Sequence, residues 1–125
     1  MVIGVGIDLI EISRIADVLK RRGVRFRDRV FTIGEIEYCE SVGSKHASYA
    51  ARFAAKEAAM KALGRGWFDG ISWTDIETLR TDPGPPRLQL SGVALERFGK
   101  LGGKRVHLSL SHSRDLAIAQ VVIEG

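Results

Sequence analysis

Glu57 and Lys61 stand four residues apart in an alanine-rich run, Ala50-Ala51-Arg52-Phe53-Ala54-Ala55-Lys56-Glu57-Ala58-Ala59-Met60-Lys61-Ala62-Leu63-Gly64. At about 100° per helical residue they share a stripe with Ala50, Phe53, Ala54 and Gly64, while Arg52 and Lys56 fall opposite with Ala59 and Leu63. A glutamate one turn before a lysine is commonly a solvated helix pair worth ~0.2–0.5 kcal/mol. The small, apolar neighbours point the other way, because an ion pair inside a buried stripe is costly unless something uses it. Asp8 poses a similar choice. It can cap the next helix or close an apolar strand, or it can converge with Glu57 on a cation. Two carboxylates, with water and phosphate oxygens completing the shell, are the usual way to hold Mg²⁺. Cysteines and histidines are too few to favour zinc.

A third cluster lies near the C-terminus, Val106-His107-Leu108-Ser109-Leu110-Ser111-His112-Ser113. Strand alternation puts His107, Ser109 and Ser111 on one face, where they could bind phosphate or a base edge. The same pattern describes the polar outer face of a half-buried sheet. A serine hydrolase is disfavoured, since no G-x-S-x-G nucleophile elbow is present.

These side chains need elements to place them. Residues 2–10 alternate as a strand, with Ile3, Val5, Ile7 and Leu9 on one face and Val2, Gly4, Gly6, Asp8 and Ile10 on the other. The first face is expected to be fully buried; the second lets something approach the backbone closely. Ser13 is placed to cap a helix over about 14–22, stopped by Gly23. Thr32 and Glu35 resemble a capping box for a helix over 33–39. The longest helix is expected from Lys45 or His46 to Leu63, ended by Gly64. Residues 71–79 and 87–90 read as strands around the turn Asp82-Pro83-Gly84-Pro85-Pro86, and residues 93–100 as a short helix. Residues 105–112 and 116–123 read as a hairpin closed by Ser113-Arg114-Asp115. Helices and strands mix without regular alternation, which makes the class α+β. Tyr49 and Trp67 read as packing residues.

The 125 residues suit one domain, and 45% hydrophobic with 27% charged residues excludes a disordered chain. Nineteen Lys and Arg against fifteen Asp and Glu leave a formal charge of +4, which favours anionic partners without choosing among them. A single cysteine, Cys39, excludes an internal disulfide framework. No apolar run approaches the ~20 residues of a membrane span, and the first residues lack a signal-peptide pattern. A cytoplasmic protein is the expectation, with no membrane and no nucleic-acid partner.

Four segments, in order, resemble one family. Gly6-Ile7-Asp8-Leu9-Ile10-Glu11-Ile12-Ser13-Arg14-Ile15 is similar to the opening motif of bacterial holo-acyl-carrier-protein synthases, the short 4′-phosphopantetheinyl transferases. Phe31-Thr32-Ile33-Gly34-Glu35-Ile36-Glu37-Tyr38-Cys39 resembles their F-T-x-x-E-x-x-Y-C segment, and Arg52 to Ala58 with Lys61, Ala62 and Gly64 their R-F-A-x-K-E-A-x-x-K-A-x-G signature. His107 to His112 with Ala117 to Val122 resembles their C-terminal hairpin. The central signature is the specific one.

The resemblance implies transfer of 4′-phosphopantetheine from coenzyme A to a serine of apo-acyl carrier protein, in support of fatty acid biosynthesis. It implies a long central helix packed on a small, mainly antiparallel sheet, and a homotrimer with active sites between protomers. The family's metal ligands fall on Asp8 and Glu57, for Mg²⁺ or Mn²⁺. Lys61 is then a catalytic candidate, placed to bind a phosphate oxygen or take the serine proton, and Arg52, His107 and Lys45 are candidates for coenzyme A contacts. Acyl carrier proteins are acidic, so Arg14 and Arg21 on the arginine-rich first helix are read as the docking surface. One segment departs from the family: Gly84-Pro85-Pro86 followed by Arg87 replaces a G-K-P or G-R-P tripeptide, which leaves that loop without its central basic residue. A small basic nucleic-acid-binding module and a metal-dependent nucleotide hydrolase are the competing readings. The first lacks an aromatic stacking pattern and leaves Asp8 and Glu57 unexplained.

Overall fold

The alternating N-terminal stretch forms β1, Val2–Glu11. The computed structural model describes residues 1–66, 69–80 and 84–125. Helix α1 follows at once, Ile12–Val30, with Glu11 rather than Ser13 at its N-cap. Gly23 stops the first helical stretch as expected, with φ 59° and ψ −138°, and a second stretch follows directly across the kink. Helical structure resumes because Phe26 and Val30 return an apolar side to the core, where Phe26 meets the edge of the Phe31 ring at 6.2 Å. Helix α2, Ile33–Ser41, starts at the full capping box: Thr32 Oγ1 accepts from the Glu35 N–H, and the Glu35 carboxylate accepts from the Thr32 N–H. Helix α3 spans Lys45–Leu63 and stops at Gly64, left-handed at φ 69°.

The strand expected from Ile71 begins only at β2, Ile76–Leu79, because Ser72 and Asp75 cap a 3₁₀ turn over Trp73–Asp75 first. β3 (Arg87–Leu90), α4 (Gly92–Lys100), β4 (Arg105–His112) and β5 (Leu116–Glu124) complete the order. Trp67 and the first two residues of the expected 82–86 turn lie outside the described residues. The β4–β5 hairpin and β1 make an antiparallel sheet in the order β1-β5-β4, and β2 pairs antiparallel with β3 in a separate ribbon. The molecule is therefore α+β, with α3 lying across the three-stranded sheet.

The packing face of β1 reverses the expectation. Val5, Ile7 and Leu9 are exposed, and the glycine face meets α3. A Cβ at Gly4 would overlap the Ala62 carbonyl, and one at Gly6 the Ala58 carbonyl. Helix and strand backbones thus approach as closely as side-chain-free positions permit. The other half of this contact is alanine: Ala54, Ala58 and Ala62 are all buried. Among the described residues no helix is long and apolar enough to cross a membrane.

Candidate active site

Close packing of β1 on α3 carries Asp8 to Glu57 and Lys61. Gly4 meets α3 at Ala62 and Gly6 at Ala58 and Ala62, so two residues further along the same face Asp8 arrives one turn earlier on the helix. Lys61 Nζ donates to the Ile7 carbonyl at 2.9 Å and sits 3.3 Å from Asp8 Oδ1. Lys61 is therefore partnered across to the strand rather than along its helix to Glu57. Partial burial pushes the Glu57 carboxyl up, and repulsion from Asp8 adds to it; Lys61 and Arg14 oppose the rise. Two acids thus share one site with the Lys61 ammonium.

The stripe expected to be buried is the more open one. Glu57 is half-buried and Lys61 exposed, whereas Arg52 and Lys56 on the opposite side are buried. The reason lies in what flanks α3. The sheet covers one side, and α2 with β2 cover the side bearing Lys56. There the ammonium sits 2.8 Å from Glu35 and donates to the carbonyls of Trp73 and Ile76. Glu35 also accepts from the Thr78 N–H at 2.9 Å. Desolvation pulls Lys56 below the usual lysine range and Glu35 pushes back. Sequence reasoning treated Glu35 only as a capping residue. Its place in the second motif and that of Lys56 beside Glu57 were the available signals, but nothing local links positions 35 and 56.

Arg52 stacks on Tyr38, with its guanidinium 4.2 Å from the ring centroid, and donates to Ser48 Oγ at 2.9 Å. Its Nε is buried without a partner among the described residues, and it borders a cavity of about 150 Å³ with Arg80, Ser111 and His112. His107 is elsewhere. It lies in one row with Val5 and Val122, on the sheet face opposite Asp8, and pairs with Glu124 at 2.5 Å. One chain cannot turn both His107 and Asp8 toward one ligand. Lys45, at the start of α3, pairs with Glu40 at 3.5 Å and lines a separate groove with Tyr49 and Arg27.

Arg14 and Arg21 are exposed on α1. Arg14 acts on Glu57 through its charge, and Arg21 opens a cleft of about 910 Å³ whose walls include Arg22, Arg25 and Arg29 and whose apolar lining includes Phe26, Phe53 and Trp73. Trp73 stacks on Phe53 at 5.2 Å and also lines the neighbouring 340 Å³ cavity that holds Glu57 and Lys61. The arrangement joins a basic, aromatic cleft to an acid-and-lysine cluster.

Comparison with other proteins shows the same fold. A holo-acyl-carrier-protein synthase of Koribacter versatilis is 46% identical over 124 residues, covering 99% of each chain. The crystal structure of the Neisseria meningitidis holo-acyl-carrier-protein synthase superposes with a TM-score of 0.89 at 34% identity, over 100% of both chains. The Helicobacter pylori holo-acyl-carrier-protein synthase, solved in complex with coenzyme A, gives 0.84 at 33% identity over 96% of this chain and 99% of that one. The model of the 4′-phosphopantetheinyl transferase superfamily matches residues 4–121, which span β1 and its Asp8, the Glu57–Lys61 helix and most of the closing hairpin; the chain belongs to that superfamily.

Proposed function

We propose that the chain is a holo-acyl-carrier-protein synthase, acting in the cytoplasm in support of fatty acid biosynthesis. It transfers 4′-phosphopantetheine from coenzyme A to a serine hydroxyl of apo-acyl carrier protein and releases adenosine 3′,5′-bisphosphate. The observation that carries the reading is the meeting of Asp8, Glu57 and Lys61 where β1 crosses α3. Full-length relatives of the chain bear this activity in their names.

The serine oxygen bonds to the phosphorus that carries the pantetheine arm, and the bond from that phosphorus to the diphosphate bridging oxygen breaks. The serine proton passes to solvent, and the nucleotide departs with the electron pair of the broken bond. Asp8 and Glu57 suit a divalent cation, because two neighbouring carboxylates, one raised by burial and by the other's charge, are relieved by a positive ion. An Mg²⁺ or Mn²⁺ ion held by Asp8 and Glu57 would supply positive charge to offset that of the diphosphate. Lys61 is held beside the acids by the Ile7 carbonyl, where its ammonium serves a phosphate oxygen. Arg52 borders a cavity with Arg80, and its guanidinium is our candidate for a phosphate contact there. Lys45 is available too, since its exposed pair with Glu40 is worth only ~0–1 kcal/mol. Arg14 and Arg21 meet the acidic carrier protein.

His107 joins the same ligand when it comes from another protomer, and the exposed face of Val5, Ile7 and Leu9 supplies an apolar surface for that contact. This supports our reading of the assembly as the homotrimer with shared sites that the family resemblance implies. Mass spectrometry of apo-acyl carrier protein incubated with enzyme, coenzyme A and Mg²⁺ tests the reading. A gain of one phosphopantetheine that EDTA abolishes supports it; no gain with any carrier protein overturns it.

A further inference from the structure

The Lys56–Glu35 pair is densely bonded, with all three ammonium protons of Lys56 committed. The three N–H bonds of Lys56 face three acceptors: the Glu35 carboxylate and the carbonyls of Trp73 and Ile76. Glu35 in turn accepts from the backbone N–H groups of Thr32 and Thr78. Both side chains are fully buried. Buried charges of this kind contribute little net stability compared with apolar replacements, so their presence points to another use. What they hold is the 3₁₀ turn that begins at Trp73. Its capping is internal, from Ser72 and Asp75, and its far end is tied to the β3 side, where the Asp75 carbonyl accepts from the Ser91 N–H at 2.9 Å. Its tie to α3 is the Lys56 ammonium on the Trp73 carbonyl, with the stack of the Trp73 ring on Phe53. That ring lines both the arginine-walled cleft and the cavity of Glu57 and Lys61.

We propose that Lys56 and Glu35 are positioning residues of the transfer site: they fix Trp73 as the wall between the cleft on α1 and the Glu57–Lys61 cavity, and so set how an acidic carrier protein presents its serine. This rests on the functional reading above. Lys56 and Glu57 are adjacent in the chain and divide the work, one facing inward to place the wall and the other facing the reacting groups.

The chain has two tryptophans, so Trp67→Phe leaves Trp73 as the only one and serves as the parent. In that background Lys56→Met is expected to shift Trp73 emission to longer wavelength and increase its quenching by acrylamide. It also raises the KM for carrier protein about tenfold or more, the scale of a displaced positioning group, and leaves the Kd for coenzyme A within about twofold. Trp73→Leu, with the pair intact, should show the same split between carrier and coenzyme. Glu35→Gln, which keeps the shape but loses the charge, replaces Lys56→Met if that variant does not fold. Unchanged emission together with an unchanged carrier KM overturns the proposal, as does a parental carrier KM in Trp73→Leu. A parent without transfer activity overturns the functional reading instead, and Trp73 emission then decides the positioning by itself.

Discussion

Lys61 Nζ lies 3.3 Å from the Asp8 carboxylate, bridging the last turn of α3 to the C-terminal half of β1. The two residues are 53 positions apart, and the bridge exists because glycines at positions 4 and 6 let strand and helix backbones touch.

That contact makes Gly6 the most demanding small residue in the chain. Gly6→Ala puts a Cβ into the Ala58 carbonyl, which is backbone and cannot swing away. We expect a loss of about 1–3 kcal/mol, the usual scale of overpacking, read as a lower urea midpoint. Asp8 should be displaced with it, so activity falls in the fraction that remains folded.

Glu57→Gln and Asp8→Asn should each lower Mg²⁺-dependent transfer by ~10²–10³-fold, comparable to removing one preorganised electrostatic group from an active site. Titrating kcat/KM against Mg²⁺ checks this. Wild-type protein should also gain about 2.7 kcal/mol of stability when Mg²⁺ is a hundredfold above its Kd. Neither variant should show that gain.

Charge reversal at Arg14 and Arg21 should raise the KM for carrier protein about tenfold with kcat largely retained, because exposed charges steer association more than chemistry. The effect should shrink as salt is raised from low to physiological strength. Initial rates at varied carrier concentration and two salt levels are sufficient to measure it.

Tyr49 donates its hydroxyl to Glu40 at 2.7 Å, and this bond holds the Glu40 carboxyl below its ordinary value of 4.5. A lowered carboxyl contributes stability above its unfolded pKa and loses it as pH falls through the folded one. Tyr49→Phe should therefore cost about 1 kcal/mol or less at neutral pH, discounted for the exposure of Glu40. The difference from wild type should shrink as pH falls below the ordinary carboxyl value of 4.5 and through the lower folded one. Thermal unfolding at pH 7 and pH 3 gives both values.

Ile7→Lys and Leu9→Lys place charges on the exposed apolar face of β1 without touching the face that meets α3. Sedimentation should show a monomer in place of a trimer, with helical circular dichroism preserved. Transfer activity should be lost along with the His107 contribution from the neighbouring protomer.

Local chemistry was legible without a structure wherever one segment decides its own outcome. The Thr32–Glu35 capping box, the stop at Gly64 and the tight β4–β5 hairpin all depend on residues within a few positions of one another, and they form as read. The meeting of Asp8 with Glu57 was legible for a different reason: two acids in apolar surroundings need a shared purpose. Which faces turn inward was not legible. Alternation in β1 defines two faces but not the buried one, and the glycine face won because α3 could approach it closely. Alanine surrounds α3, so a helical wheel offers no contrast by which to rank the Glu57 stripe against the Lys56 stripe. Only the tertiary structure, by laying α2 and β2 over Lys56 and delivering Glu35 to it, decided which charges are buried as scaffold and which stay open for chemistry.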